Sequence, residues 1–245
     1  MFGTVTVKRF EDDIVYLKSR GYAFLSIQEV HECIKGSREW PDMPLILACV
    51  DGFESNYTLA FSVLKKHNIH CDIFLRPDFI GVKEGEENCI PRFDWGQAQE
   101  MCDSGFVNIH PLYHQSQNDQ EIDHAANESI KMIKEKLGED NGTSFLNTVG
   151  DVESVDLLYN MDLGSQIVFH HSLNAETISK GCLGHMSIEH GFSIQEAEKI
   201  IEASKSKLLV NLNKEIDLVS NNGSLADEFL AKSAHSIEID ICKTP

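Results

Sequence analysis

The sequence predicts an α/β protein, a parallel sheet or barrel, and three observations carry that expectation. Short apolar runs such as Leu45–Val50 and Cys71–Leu75 recur. Segments with helical periodicity separate them, Tyr57–His67 and Asp94–Ser104 among them. Glycine or a turn pair stands at most junctions, as at Gly21, Asp51-Gly52, Gly105 and Gly138. Repeated strand–helix alternation of this kind builds parallel sheets whose strands are covered on both faces.

Taken in order, Thr4–Val7 reads as a short strand. Phe10–Arg20 reads as a helix with Phe10, Ile14 and Leu17 on one face and Gly21 behind it. Tyr22–Ser26 is extended, and Ser26 with Glu29 forms a capping box for a helix from Ile27 to about Ile34. The central strand Leu45–Val50 follows a loop and ends in the turn pair Asp51-Gly52. The helix Tyr57–His67 turns Ala60, Phe61 and Leu64 inward. Cys71–Leu75 is the next strand, and residues 76–91 form a long loop. After the helix Asp94–Ser104, the strand Phe106–Ile109 delivers His110. Asp119–Leu137 is the longest amphipathic helix, with Ile122, Ala126, Ile130 and Ile133 along its stripe. Ser144–Val149, Ser165–Phe169 and His185–Ile188 read as strands, and Val152–Tyr159 and Ile194–Ser204 as helices.

From Leu208 the alternation breaks. A strand Leu208–Leu212, a polar stretch Ser220–Ser224, a helix near Leu225–Lys232 and an edge strand at Ser236–Ile241 read as an extension packed on the barrel. The expected organisation is one barrel over 1–205 with a C-terminal extension over 206–245.

A chain of 245 residues with net charge −18 buries a full core and argues against nucleic acid or an anionic membrane as a partner. No run of apolar residues is long enough for a transmembrane helix. The seven cysteines are scattered without a CxxC pair, which fits reduced thiols. The start, Met1–Lys8, lacks the basic region and apolar core of a signal peptide. Together these set a cytoplasmic expectation.

Two stretches carry the candidate chemistry. Asp51 stands at the end of the central buried strand, where α/β barrels place functional groups. About sixty residues on, Val107-Asn-Ile-His-Pro-Leu-Tyr-His114 places two histidines four apart. An aspartate and two histidines suffice for a three-ligand site that leaves positions open for water and substrate. The competing reading makes His110 and His114 ordinary loop or helix-start residues, since a chain with 11 histidines shows an HxxxH spacing by chance.

These stretches, with Tyr16-Leu17-Lys18, Gly21-Tyr22, Asn56-Tyr57, Ile73-Phe74-Leu75 and the Trp95…Met101…Gly105 helix, resemble the polysaccharide deacetylase family, also called NodB-homology or carbohydrate esterase 4. The resemblance runs from about Phe10 to Ser204. It implies a distorted (β/α) barrel, a divalent metal, most often zinc, held by Asp51, His110 and His114, and hydrolysis of N-acetyl groups on a sugar or a surface-polysaccharide precursor. The family's Thr-Phe-Asp-Asp-Gly motif reads Ala48-Cys49-Val50-Asp51-Gly52 here, so the general-base position holds Val50. The arginine that orients that base in the family has no counterpart, because no arginine follows Arg92. An arginine left without its carboxylate would be a buried unpaired charge, so the two losses belong together.

Asp72, on the strand beside the central one, is the first candidate for a substitute base, with Glu54 behind it. His171, after the strand ending at Phe169, is a weak candidate for the acid that protonates the leaving amine. His185 stands where family members carry an arginine, and Cys49 reads as a small buried hydrophobe. The sequence thus yields two expectations: a metal-dependent deacetylase-like hydrolase, or a catalytically inactive homologue that binds carbohydrate or a partner protein.

Overall fold

The computed structural model describes residues 6–82, 90–113, 119–147, 167–170, 183–188, 193–199 and 235–239. The side chains of Ile34, of 113–126 and of the strands after Thr143 lie outside that description. Helix α1 (Val7–Ser19) opens at Thr6, whose hydroxyl accepts the Arg9 N–H, so Thr6 and Val7 begin a helix where a strand was expected. Strand β1 (Ala23–Phe24) leads into α2 (Ile27–Ile34), capped by the reciprocal Ser26–Glu29 box. Then come β2 (Pro44–Val50), a π-helical turn (Asn56–Ala60) running into α3 (Phe61–His67), and β3 (Cys71–Leu75). They are followed by α4 (Trp95–Asp103), β4 (Val107–Tyr113), α5 (Asp119–Leu137) and β5 (Ser144–Asn147). Strand β6 (Ile167–His170), strand β7 (Leu183–Ile188), a helix α6 at 194–199 and strand β8 (His235–Ile239) complete the described chain.

Every strand pairing is parallel, and neighbours follow chain order from β1 to β8. Strand β8 pairs with β7 and also with β2, Leu45 to Ala48 lying opposite His235 to Glu238, so the sheet closes on itself. The segment expected as an edge strand at 236–241 is therefore paired on both sides.

Two apolar layers follow from the alternation of side chains along each strand. Outward-facing Leu45, Leu47, Cys49, Cys71, Ile73, Leu75, Val107 and Ile109 pack with residues of the surrounding helices, such as Phe10, Ile14, Leu17, Phe61, Leu64, Met101 and Ile133. Inward-facing Ile46, Ala48, Val50, Phe74 and Leu112 form the barrel interior. Helix α2 enters that interior with Ile27, Val30 and Cys33. The Val152–Tyr159, Leu208–Leu212 and Leu225–Lys232 elements read from sequence lie outside the described residues.

Candidate functional site at the carboxyl mouth of the barrel

Asp51 takes a left-handed backbone, φ 64°, and Gly52 repeats it at φ 64°. For a non-glycine residue this conformation is uncommon, though aspartate tolerates it better than most. The turn is pinned on both sides. The Asp51 N–H donates to the Phe74 carbonyl at 2.7 Å, and the Phe93 N–H donates to the Gly52 carbonyl at 3.1 Å. A side chain at 52 has no room: a Cβ there falls 2.9 Å from Leu75 Cδ2 and 3.3 Å from Phe93 Cζ. Phe53 and Arg92 form an antiparallel bridge, with the Arg92 guanidinium 4.1 Å from the Phe53 ring centre.

The result is a half-buried carboxylate held at the carboxyl end of the central strand. No described residue donates a hydrogen bond to it. Below it, Val50, Phe74 and Leu112 belong to one apolar cluster and form the floor of the mouth. Val50, at the position where the resemblance expects a base, is 8% exposed and faces this interior.

The two candidates on β3 and β4 lie elsewhere. His110 is fully buried and sits mid-strand, in register with Phe74, which is itself in register with Val50. Its ring tilts against Phe74, centroids 5.3 Å apart. Nε2 lies 3.0 Å from Asp72 Oδ1, and Nδ1 receives the Thr143 N–H at 3.3 Å. Asp72 is two residues nearer the amino end of β3 than Phe74, so the His110 ring leans away from the mouth.

Asp72 is fully buried and collects donors from three elements. Ile27 N–H, at the start of α2, reaches Oδ2 at 3.2 Å, while His110 and His70 reach Oδ1 at 3.0 and 3.3 Å. Burial pushes the Asp72 carboxyl up. The His70 charge and the hydrogen bonds from His110 and His70 outweigh it and hold the carboxyl at about 2. A carboxylate so stabilised and so enclosed is a poor proton acceptor. The structure therefore does not place Asp72 as the substitute base expected from sequence.

His70 faces two acceptors, the Asp72 carboxylate and the Gly105 carbonyl at 3.3 Å. Burial lowers its affinity for a proton, but the Asp72 charge and hydrogen bond reverse this, and its pKa is raised. Nearby His31 has a buried Nε2 with no hydrogen-bond partner among the described residues, and burial, with help from the Lys35 charge, lowers its pKa to about 4. A polar cleft opens beside His70, lined by Ser26, Glu29, Asn108, Asp140 and Asn141 among others. It lies at the amino end of the barrel, away from Asp51.

Fitting the implied zinc to these residues fails at His110. Asp51 offers a carboxylate, but both His110 nitrogens are committed to Asp72 and Thr143. Among the described residues no group of three or more His, Cys, Asp or Glu side chains is placed to hold a metal ion. His114 and His171 lie outside the described residues. Sequence reasoning missed His70. The signal that could have found it was Asp72 itself, an ionisable residue in the middle of an apolar strand that needs a partner.

No protein-family model matches the chain, and no curated protein matches it. Solved structures do match. A deacetylase from Streptococcus pyogenes, PplD in complex with acetate, aligns with TM-score 0.63 at 15% identity, covering 81% of this chain and 88% of that one. IcaB from Ammonifex degensii aligns with TM-score 0.59 at 21% identity, over 68% and 76%. A de-N-acetylase from Aggregatibacter actinomycetemcomitans gives 0.54 at 17% identity, over 68% and 77%. The chain has the polysaccharide-deacetylase, NodB-type fold. In a deacetylase fold of this kind, the order of the eight parallel strands puts Asp51 and Leu112 at one end of the barrel and Asp72 and His70 at the other. No described helix is long and apolar enough to cross a membrane.

Proposed function

We propose that this protein is a deacetylase-like hydrolase that engages an N-acylated sugar, or a sugar-linked polysaccharide precursor, at the carboxyl mouth of its barrel. The observation that carries this reading is Asp51: a carboxylate in a left-handed turn, unclaimed by described neighbours, above the apolar floor of Val50, Phe74 and Leu112. Backbone strain of order ~1–3 kcal/mol persists where the surroundings enforce it, and it concentrates at functional sites. The floor suits the methyl of an acetyl group, and the carboxylate suits the amide N–H or a sugar hydroxyl. In the hydrolase reading Asp51 also takes the proton of the attacking water. A positioned base contributes about 10²–10⁴-fold in rate. No step is routed through a metal, because His110 is not free to share one with Asp51.

The second reading is a homologue that binds such a sugar without cleaving it. Val50 at the family's base position favours it, as does the enclosure of Asp72. In both readings the partner is a carbohydrate. The free thiols Cys33, Cys49, Cys71 and Cys102 support placing the protein in a reducing, cytoplasmic compartment.

Acetate release from N-acetylglucosamine oligomers separates the two. The hydrolase reading expects release that falls by about 10²-fold or more in Asp51→Asn. The binding reading expects no release, with oligomer binding that weakens in Asp51→Asn. Neither release nor binding in the wild type overturns both.

A further inference from the structure

We infer that His110 is a structural residue and not a metal ligand: with Asp72 and His70 it forms a buried hydrogen-bonded network that closes the amino end of the barrel interior and seats helix α2 on it. Four observations converge. First, His110 lies inside β4 and not at its end. Side chains four apart meet on a helix, but β4 is extended through Tyr113. At about 3.3 Å per residue, the three steps from His110 to Tyr113 already span about 10 Å. The inward position of β4 nearer the mouth is Leu112, an apolar residue of the floor.

Second, the partners of His110 settle its ring chemistry. The Thr143 N–H requires a lone pair on Nδ1, and the Asp72 carboxylate requires a proton on Nε2. Both sites that could bind a metal are used. Third, Asp72 is shared among elements that are far apart in sequence. It accepts from Ile27 at the start of α2, from His70 before β3 and from His110 on β4, and Thr143 extends the network to the approach of β5. Its negative charge also lies at the amino end of α2, where the helix dipole favours it. Fourth, the His70 ring faces a carbonyl and a carboxylate, both acceptors, so both its nitrogens donate. The network is thus a cation, an anion and a neutral imidazole, with both nitrogens of each ring engaged and the Asp72 carboxylate accepting three N–H groups. The bond to Asp72 alone would suit a ligating histidine; it is the Thr143 N–H that fills Nδ1, and a metal there would have to displace it.

Long-range proton–nitrogen NMR of the histidine rings, with zinc titration of wild type, His110→Gln and Asp51→Asn, tests the inference. The expected spectrum shows His110 as the neutral Nε2–H form, unmoved by zinc. Zinc uptake by His110→Gln should equal that of wild type, including the case where neither takes any up, while its melting temperature falls. Perturbing a metal ligand or its hydrogen-bonded support typically costs about 10–100-fold in affinity. A loss of that size in His110→Gln, or a zinc-dependent shift of the wild-type His110 ring nitrogens, overturns the inference. The wild-type spectrum decides the matter on its own if His110→Gln does not fold.

Discussion

Replacing Asp72 by asparagine exposes the energetics of the barrel's amino end. The carboxylate accepts three N–H groups, two on Oδ1 and one on Oδ2. An asparagine amide presents one oxygen and one NH2, so at least one of these donors meets another donor. Either Ile27 N–H, at the first turn of α2, or the two histidines lose their acceptor. An unsatisfied buried donor costs about 1–3 kcal/mol. Removing one member of a buried charge pair costs about 3–5 kcal/mol. The His70 side chain is 14% exposed beside a polar cleft, which gives its charge partial relief. We therefore expect about 3 kcal/mol, toward the lower end of the pair-breaking range. The cost must depend on pH. The pKa of His70 is raised by the fold, so its contribution is fully present below the ordinary histidine value and is lost as pH rises through the raised value. The Asp72 contribution is present above the ordinary carboxylate value and is lost as pH falls toward about 2. Urea unfolding of wild type and Asp72→Asn at about pH 6 and about pH 9 should show the larger penalty at the lower pH. A variant as stable as wild type, or an equal penalty at both pH values, would refute the reasoning.

Other perturbations test neighbouring parts of the account. His31, whose pKa is lowered to about 4, is neutral in the folded protein, so the unfolded chain binds the extra proton between about pH 4 and 6.5. Stability should rise with pH across that window, and His31→Leu should flatten the rise in a series of urea midpoints. Gly52→Ala meets Leu75 Cδ2 at 2.9 Å at a residue with φ 64°, so thermal unfolding should show a loss of about 2–3 kcal/mol. The Ser26 hydroxyl accepts the Glu29 N–H at 3.1 Å, so Ser26→Ala should cost about 1 kcal/mol by denaturant midpoint and leave the mouth unchanged.

The parts of the fold that local chemistry dictates were legible in the sequence. The Ser26–Glu29 capping box, the strand Cys71–Leu75 and the helix Asp119–Leu137 stand where pattern placed them. Thr6 was misread because a threonine–valine run suits a strand, yet the threonine hydroxyl caps α1. The closing strand β8 was misread as an edge because nothing local tells a strand how many neighbours it will have. The turn at Asp51-Gly52 was legible from an apolar run ending in a turn pair. His110 was assigned to the mouth because the strand was expected to end at Ile109. It continues to Tyr113, which leaves His110 inside the barrel. The link between Asp72, His70 and His110 depends on the parallel register of β3 with β4, and one chain read alone does not display register.

The most direct test of where this protein acts is a map of backbone amide shifts on titration with an N-acetylglucosamine oligomer. The account predicts shifts concentrated at Asp51 to Asn56 and at Arg92 and Phe93, absent in Asp51→Asn. Shifts centred instead on Ser26, Glu29, His70 and Asn108, at the opposite end of the barrel, would contradict it.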